Sequence, residues 1–169
     1  MYKFICLLFV CVAFVHAVDH KIQVKWGKVR QGLTILVNIK RGANATNITW
    51  NGEVTENKNR LRATYEFTYI AQNKTRTTRA SNLCTPAKKG SFDEVVQTFL
   101  LKTLANSDSC PIKKGTMVSY KTPFDYSYAV DESFGCGEFR SKMKLFRSHK
   151  ITDLIPVLVY KFGGTITGC

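Results

Sequence analysis

Residues 84–115 read CTPAKKGSFDEVVQTFLLKTLANSDSCPIKKG, and they interrupt a chain that otherwise alternates. From Ser91 to Asn106 the apolar positions are Phe92, Val95, Val96, Phe99, Leu100 and Leu104. Their offsets of 0, 3, 4, 7, 8 and 12 fall on one face of a helix. Ser91 and Glu94 form a capping box ahead of it, Asp93 suits the positive end of the helix dipole, and Lys102 lies near the other end. A cysteine stands before this helix and another after it.

On either side of this stretch the period is two, the mark of half-buried antiparallel strands. Ile22, Val24 and Trp26 alternate with Lys21, Gln23 and Lys25; Leu33, Ile35, Val37 and Ile39 repeat the pattern. Asn51-Gly52, between Asn47–Trp50 and Glu53–Thr55, predicts a tight hairpin whose two central residues have positive φ. Tyr65, Phe67 and Tyr69 alternate, as do Phe124, Tyr126, Tyr128 and Val130 further on, and then Phe139, Met143 and Leu145. Residues 154–162 are nearly continuously apolar, and Pro156 predicts an edge or a bulge there. The expectation is a mainly β protein: one immunoglobulin-like, two-sheet β-sandwich of seven to eight strands with one amphipathic helix inserted.

The 169 residues suffice for one domain with a real core. With 44% hydrophobic and 22% charged residues, neither wholesale disorder nor a polytopic membrane protein fits. Residues 1–17, MYKFICLLFVCVAFVHA, read as a secretory signal peptide: Lys3, an apolar run to Val15, and small residues at Val15 and Ala17. The run is short for an anchor crossing about 30 Å of hydrocarbon. The mature chain, Val18 to Cys169, is expected to be a single soluble extracellular domain. It keeps Cys84, Cys110, Cys136 and Cys169. An even count in an oxidising compartment predicts disulfides, and of the three pairings the sequential one is simplest. Zinc fails on spacing, since no half-site of the Cys-x-x-Cys kind exists. Three N-glycosylation sequons begin at Asn44, Asn47 and Asn73.

The order of features from Cys84 to Gly168 resembles the ganglioside-activator-like branch of the ML, or lipid-recognition, superfamily, and in particular its small secreted insect members. The resemblance lies in a cysteine, an amphipathic helix, then Cys110-Pro111-Ile112-Lys113-Lys114-Gly115 opening a Tyr/Phe-rich strand. Gly137-Glu138-Phe139-Arg140 follows, with Phe139 where that family usually has Tyr, and the apolar run Ile155–Phe162 closes it. It covers about half the chain. It implies a bridge between Cys84 and Cys110; Cys136 and Cys169 have no counterpart in it, so their pairing rests on parity. It also implies a two-sheet cup with an incompletely filled apolar interior, a ready host for hydrocarbon.

On that reading the function is non-catalytic binding of a lipid or other hydrophobic ligand, as a carrier or presenter, without cofactor or metal. Cavity candidates are Phe92, Val96, Phe99 and Leu100 on the helix, with Phe124, Tyr126, Tyr128 and Phe134 from the aromatic strand and beyond. The same positions serve ordinary core packing equally well. Catalytic signatures are missing: His20 and His149 lie in no hydrolase or metalloprotease motif. No EF-hand spacing supports calcium.

The formal charge of +13 suits an anionic membrane surface or sulfated glycans, or simply a solvated face. Lys142 and Lys144 alternate on one strand face and predict a local basic patch. No motif points to nucleic acid. The alternative function is therefore a secreted effector or interaction protein, of a salivary, venom or chemosensory kind, working through a basic surface.

Overall fold

The computed structural model describes residues 18–130, 135–147 and 155–169. Residues 1–17, read from the sequence as a signal peptide, and Phe134 and His149 lie outside these described residues. Nine strands and one helix follow in chain order: β1 (Val18–Gln31), β2 (Val37–Arg41), β3 (Thr46–Trp50), β4 (Leu61–Tyr69), β5 (Lys74–Ala80), α1 (Phe92–Ala105), β6 (Met117–Tyr120), β7 (Phe124–Val130), β8 (Gly137–Arg147) and β9 (Leu158–Thr167). All pairings are antiparallel. A six-stranded sheet runs β5-β4-β8-β9-β1-β7, and a three-stranded sheet runs β2-β3-β6. The described residues thus form a mainly β, two-sheet sandwich with a single helix.

The inner face of the large sheet comes from the period-two residues: Leu61, Ala63, Tyr65, Phe67 and Tyr69 of β4, Phe139, Met143 and Leu145 of β8, and Leu158, Tyr160, Phe162 and Ile166 of β9 are all buried. Val37, Ile48 and Trp50 of the small sheet belong to the same core. Phe92, Val95, Val96, Phe99, Leu100 and Leu104, the helix face read from the sequence, are buried there too.

The helix ends where its caps dictate. Ser91 has extended backbone and its Oγ accepts from the Glu94 N–H at 3.3 Å. The Glu94 carboxylate accepts from the Gly90 N–H at 2.7 Å, one residue earlier than a standard capping box. Asn106 closes the helix in the left-handed region at φ 50°, a conformation asparagine tolerates better than most residues. The Trp50 indole N–H donates to the Leu104 carbonyl at 2.8 Å and anchors the last turn of α1 to β3. Buried Gln97 accepts from Ala87 N–H and donates to the carbonyls of Leu83 and Thr85, so it holds the incoming loop to the helix.

Two disulfides frame this core. Cys84–Cys110 closes the segment containing α1 and lies beside the backbone bridge between Val54 and Ile112. Cys136–Cys169 ties the entrance of β8 to the end of the chain beyond β9. Both match the sequential pairing.

Several local expectations are corrected. Trp26 does not continue the inward row of Ile22 and Val24. A β-bulge between Val24 and Trp26 turns the indole to the outer face, where it is 45% exposed. Leu33 and Ile35 are not strand positions; they stand 82% and 84% exposed in the connection that carries the chain from one sheet to the other. Asn51-Gly52 makes no hairpin. Neither residue has positive φ, and the Asn51 N–H and side-chain amide instead bond the carbonyls of Leu36 and Ile35. Pro156 precedes β9, and β9 is an interior strand between β8 and β1, not an edge.

Candidate functional site

The chain passes from one sheet to the other between β6 and β7. β6 pairs only with β3, at the rim of the small sheet, and β7 pairs only with β1, at the rim of the large one. Residues 121–123 join them across the gap, and the C-terminal half of α1 lies beside it. Because neither rim strand has a further neighbour, the sandwich opens there into a cleft of about 410 Å3. That volume falls in the range of sites that take a small organic molecule.

Aromatic side chains form its wall. Alternation along β7 turns Phe124, Tyr126 and Tyr128 inward and leaves Asp125, Ser127 and Ala129 exposed. The Phe124 ring stacks on Phe99 with centroids 6.2 Å apart and meets Tyr120 edge-on at 5.9 Å. Tyr126 meets Phe99 edge-on at 5.0 Å. Val118, Tyr120 and Pro123 complete the apolar lining, and Lys102, Asp108, Lys121 and Asp125 supply the polar rim. Lys102 and Asp108 pair across 3.0 Å at this rim, both well exposed.

The phenols at the wall are held neutral. Burial pushes Tyr126 up to about 12, with the carboxylates of Asp108 and Glu94 adding to the shift. Burial also pushes Tyr120 up to about 12, against the opposing effect of its hydrogen bond with Tyr160. The two hydroxyls are 2.9 Å apart. The wall therefore offers apolar rings and uncharged hydroxyls, a surface suited to a hydrophobic molecule with a small polar end.

The N-terminal half of α1 behaves differently. Phe92, Val95, Val96 and Phe99 close against Ile22, Phe67, Tyr69, Tyr128 and Ile166, leaving a crevice of only about 10 Å3. Packing is dense here: Phe67 meets Phe92 edge-on at 5.5 Å, and Tyr160 and Phe162 stack at 4.4 Å. The unfilled interior implied by the resemblance is not present at this end of the helix. Among the described residues the buried Tyr69 hydroxyl has no hydrogen-bond partner, and burial raises its pKa. A broader depression of about 470 Å3 is lined mostly by exposed residues, with the stacked rings of His20 and Tyr128, 5.2 Å apart, as its aromatic part.

The cavity candidates thus divide. Phe124 and Tyr126 line the open cleft, with Phe99 behind them. Phe92, Val96 and Tyr128 line the closed crevice. Leu100 is buried in the core and lines neither, and Phe134 lies outside the described residues. Tyr120, Val118 and Pro123 escaped the sequence reading because β6 is only four residues long. The alternation of Val118 and Tyr120 was the available signal.

Asn44, Asn47 and Asn73 are exposed, Asn73 in a turn at φ 48°. Among the described residues no group of three or more His, Cys, Asp and Glu side chains could hold a metal ion, and no helix is long and apolar enough to cross a membrane.

No family model matches the chain. No curated protein matches it. Among solved structures, the chain is similar to a Niemann-Pick type C2 protein from Japanese carpenter ant at 10% identity. That alignment covers 85% of this chain and 92% of the other, with a TM-score of 0.33. So loose a likeness transfers no function, and the architecture above rests on this chain's own strands.

Proposed function

We propose that the chain is a secreted, non-catalytic carrier or presenter of a lipid or other hydrophobic ligand, held in the cleft between β6, β7 and the C-terminal half of α1. The observation that carries this reading is the cleft itself: about 410 Å3, walled by Phe124, Tyr126, Tyr120 and Val118, at the point where the two sheets part. Each methylene buried there contributes about 0.8 kcal/mol, so a short acyl chain or a ring system gains affinity without any catalytic group. Support comes also from the resemblance of Cys84–Gly168 to the ML family, with no commitment to its ganglioside-activator branch. Secretion is supported by the leader at residues 1–17, by two disulfides and by exposed sequons. Lys121 at the rim suits an anionic head group at the mouth, whereas Lys102 is paired with Asp108.

The test is extraction of the chain secreted by an animal cell host, followed by mass spectrometry, together with titration by a fluorescent fatty acid. The parent chain is expected to yield lipid and to bind the probe. Phe124→Asp, which puts a carboxylate on the cleft wall, is expected to abolish both while the fold persists. Recovery of no lipid together with absence of probe binding would overturn the reading.

A further inference from the structure

The outer face of the six-stranded sheet, opposite the core, carries a second feature. Lys28 of β1 stands directly across from Lys161 of β9, and Lys161 directly across from Lys142 of β8. Three cations therefore occupy facing positions on three adjacent strands, over roughly 10 Å at ordinary strand spacing. Like charges placed directly opposite are destabilising in a sheet. Among the described residues none of the three forms an ion pair. Glu66, across from Lys142 on β4, offsets the repulsion only at that end of the row and leaves Lys28 opposite Lys161.

The next row repeats the theme. Arg30 faces Val159, Val159 faces Lys144, Lys144 faces Thr64, and Thr64 faces Arg79. Lys142, Lys144 and Arg79 line a groove of about 250 Å3 together with Thr64, Thr77 and Glu66. At the other end Trp26 lies flat over Gly163, so close that an alanine Cβ there would meet the indole at 2.8 Å. The face thus combines lines of cations, threonine hydroxyls and one exposed flat ring.

We propose that this face, from Trp26 and Lys28 to Arg79, binds a linear sulfated glycan. Sulfates complement the cation rows, threonine hydroxyls bond sulfate and sugar oxygens, and the indole offers a platform for a sugar ring. A membrane is the poorer occupant, because the rows present only Trp26 and the half-buried Val159 as apolar side chains to enter a bilayer. The site lies on the face away from the hydrophobic cleft and does not depend on the ligand reading.

Heparin is the probe, titrated calorimetrically against the intact secreted chain at several salt concentrations. The parent is expected to bind, with affinity falling steeply as salt rises. Lys28→Gln/Lys142→Gln/Lys161→Gln is expected to weaken binding by about tenfold or more and to lower the log–log salt slope by about one per cation removed. A control of equal charge change away from this face, Lys40→Gln/Lys113→Gln/Lys114→Gln, is expected to lose no more than about twofold, and desulfated heparin to bind weakly. Phe124→Asp should leave heparin binding intact. The ladder variant should melt at or above the parent temperature, since a repulsion is removed. If it fails to fold, the single change Lys161→Gln carries the test, with a smaller loss in the same direction. Equal losses in ladder and control, or binding of phosphatidylserine vesicles or single-stranded DNA through these lysines without heparin binding, would overturn the proposal.

Discussion

The hydroxyls of Tyr120 and Tyr160 meet at 2.9 Å inside the molecule and join the small sheet to the large one at the back of the open cleft. Tyr160 is fully buried, and its ring meets Tyr120 edge-on at 5.4 Å. Removing one hydroxyl leaves the other buried without a partner, a cost of about 1–3 kcal/mol. Tyr160→Phe is expected to lower stability by that amount in urea unfolding. Adding Tyr120→Phe should restore part of the loss, because both polar groups are then gone. Additive losses in the double variant would contradict a direct bond.

The tyrosines set the alkaline limit of the fold. Burial raises Tyr65, Tyr120, Tyr126, Tyr128 and Tyr160 above the ordinary value of 10. The unfolded chain then holds fewer protons than the folded one once the pH passes 10, so stability is full below that point and falls above it. Absorbance titration of tyrosinate, followed alongside circular dichroism, should show ionisation and unfolding together above pH 10. Reversible ionisation of all six tyrosines of residues 18–169 near pH 10 with the fold intact would refute the burial argument.

The disulfides join cysteines separated by 26 and 33 positions in the sequence. Chain-entropy reasoning gives each about 3–4 kcal/mol. Cys84→Ala/Cys110→Ala and Cys136→Ala/Cys169→Ala are each expected to lower the unfolding free energy by about that much in guanidinium titrations. Non-reducing peptide mapping of the parent should recover these two linkages, and any other linkage contradicts the arrangement.

Gly163 and Gly164 are adjacent on β9 but answer differently to a methyl group. At Gly164 an added Cβ would lie 1.8 Å from the Gln23 carbonyl oxygen, which is backbone of the neighbouring strand. Gly164→Ala is expected to separate β1 from β9 and destabilise severely, on the order of 3 kcal/mol or more. At Gly163 the obstacle is the exposed Trp26 ring, which can swing away. Gly163→Ala should cost about 1 kcal/mol or less and shift indole fluorescence to the red. Equal losses at the two positions would show that Trp26 is as fixed as the backbone.

How much of this was legible in the chain depends on the range of the interaction. The helix boundaries were, because Ser91, Glu94 and Asn106 act on their own backbone neighbours. The inward rows of β4, β7 and β8 were, because a half-buried strand writes its two faces into alternate residues. The cysteine parity was legible as composition. The open cleft was half legible: Phe124 and Tyr126 stood out, while Tyr120 lay in a strand too short to show a period.

What remained was decided by pairing across the sheets. The bulge after Val24 turns Trp26 outward, and Gly27 beside it is a local sign of a bulge that does not say which way the indole turns. Leu33 and Ile35 look like strand positions until the chain has to change sheets. Lys28, Lys161 and Lys142 lie far apart in sequence and meet only because β1, β9 and β8 adopt one register. Local elements were legible because their causes lie within a few residues of each other. The tertiary structure alone decided which faces opened, which filled and which charges were brought opposite one another, because register is a relation between distant strands.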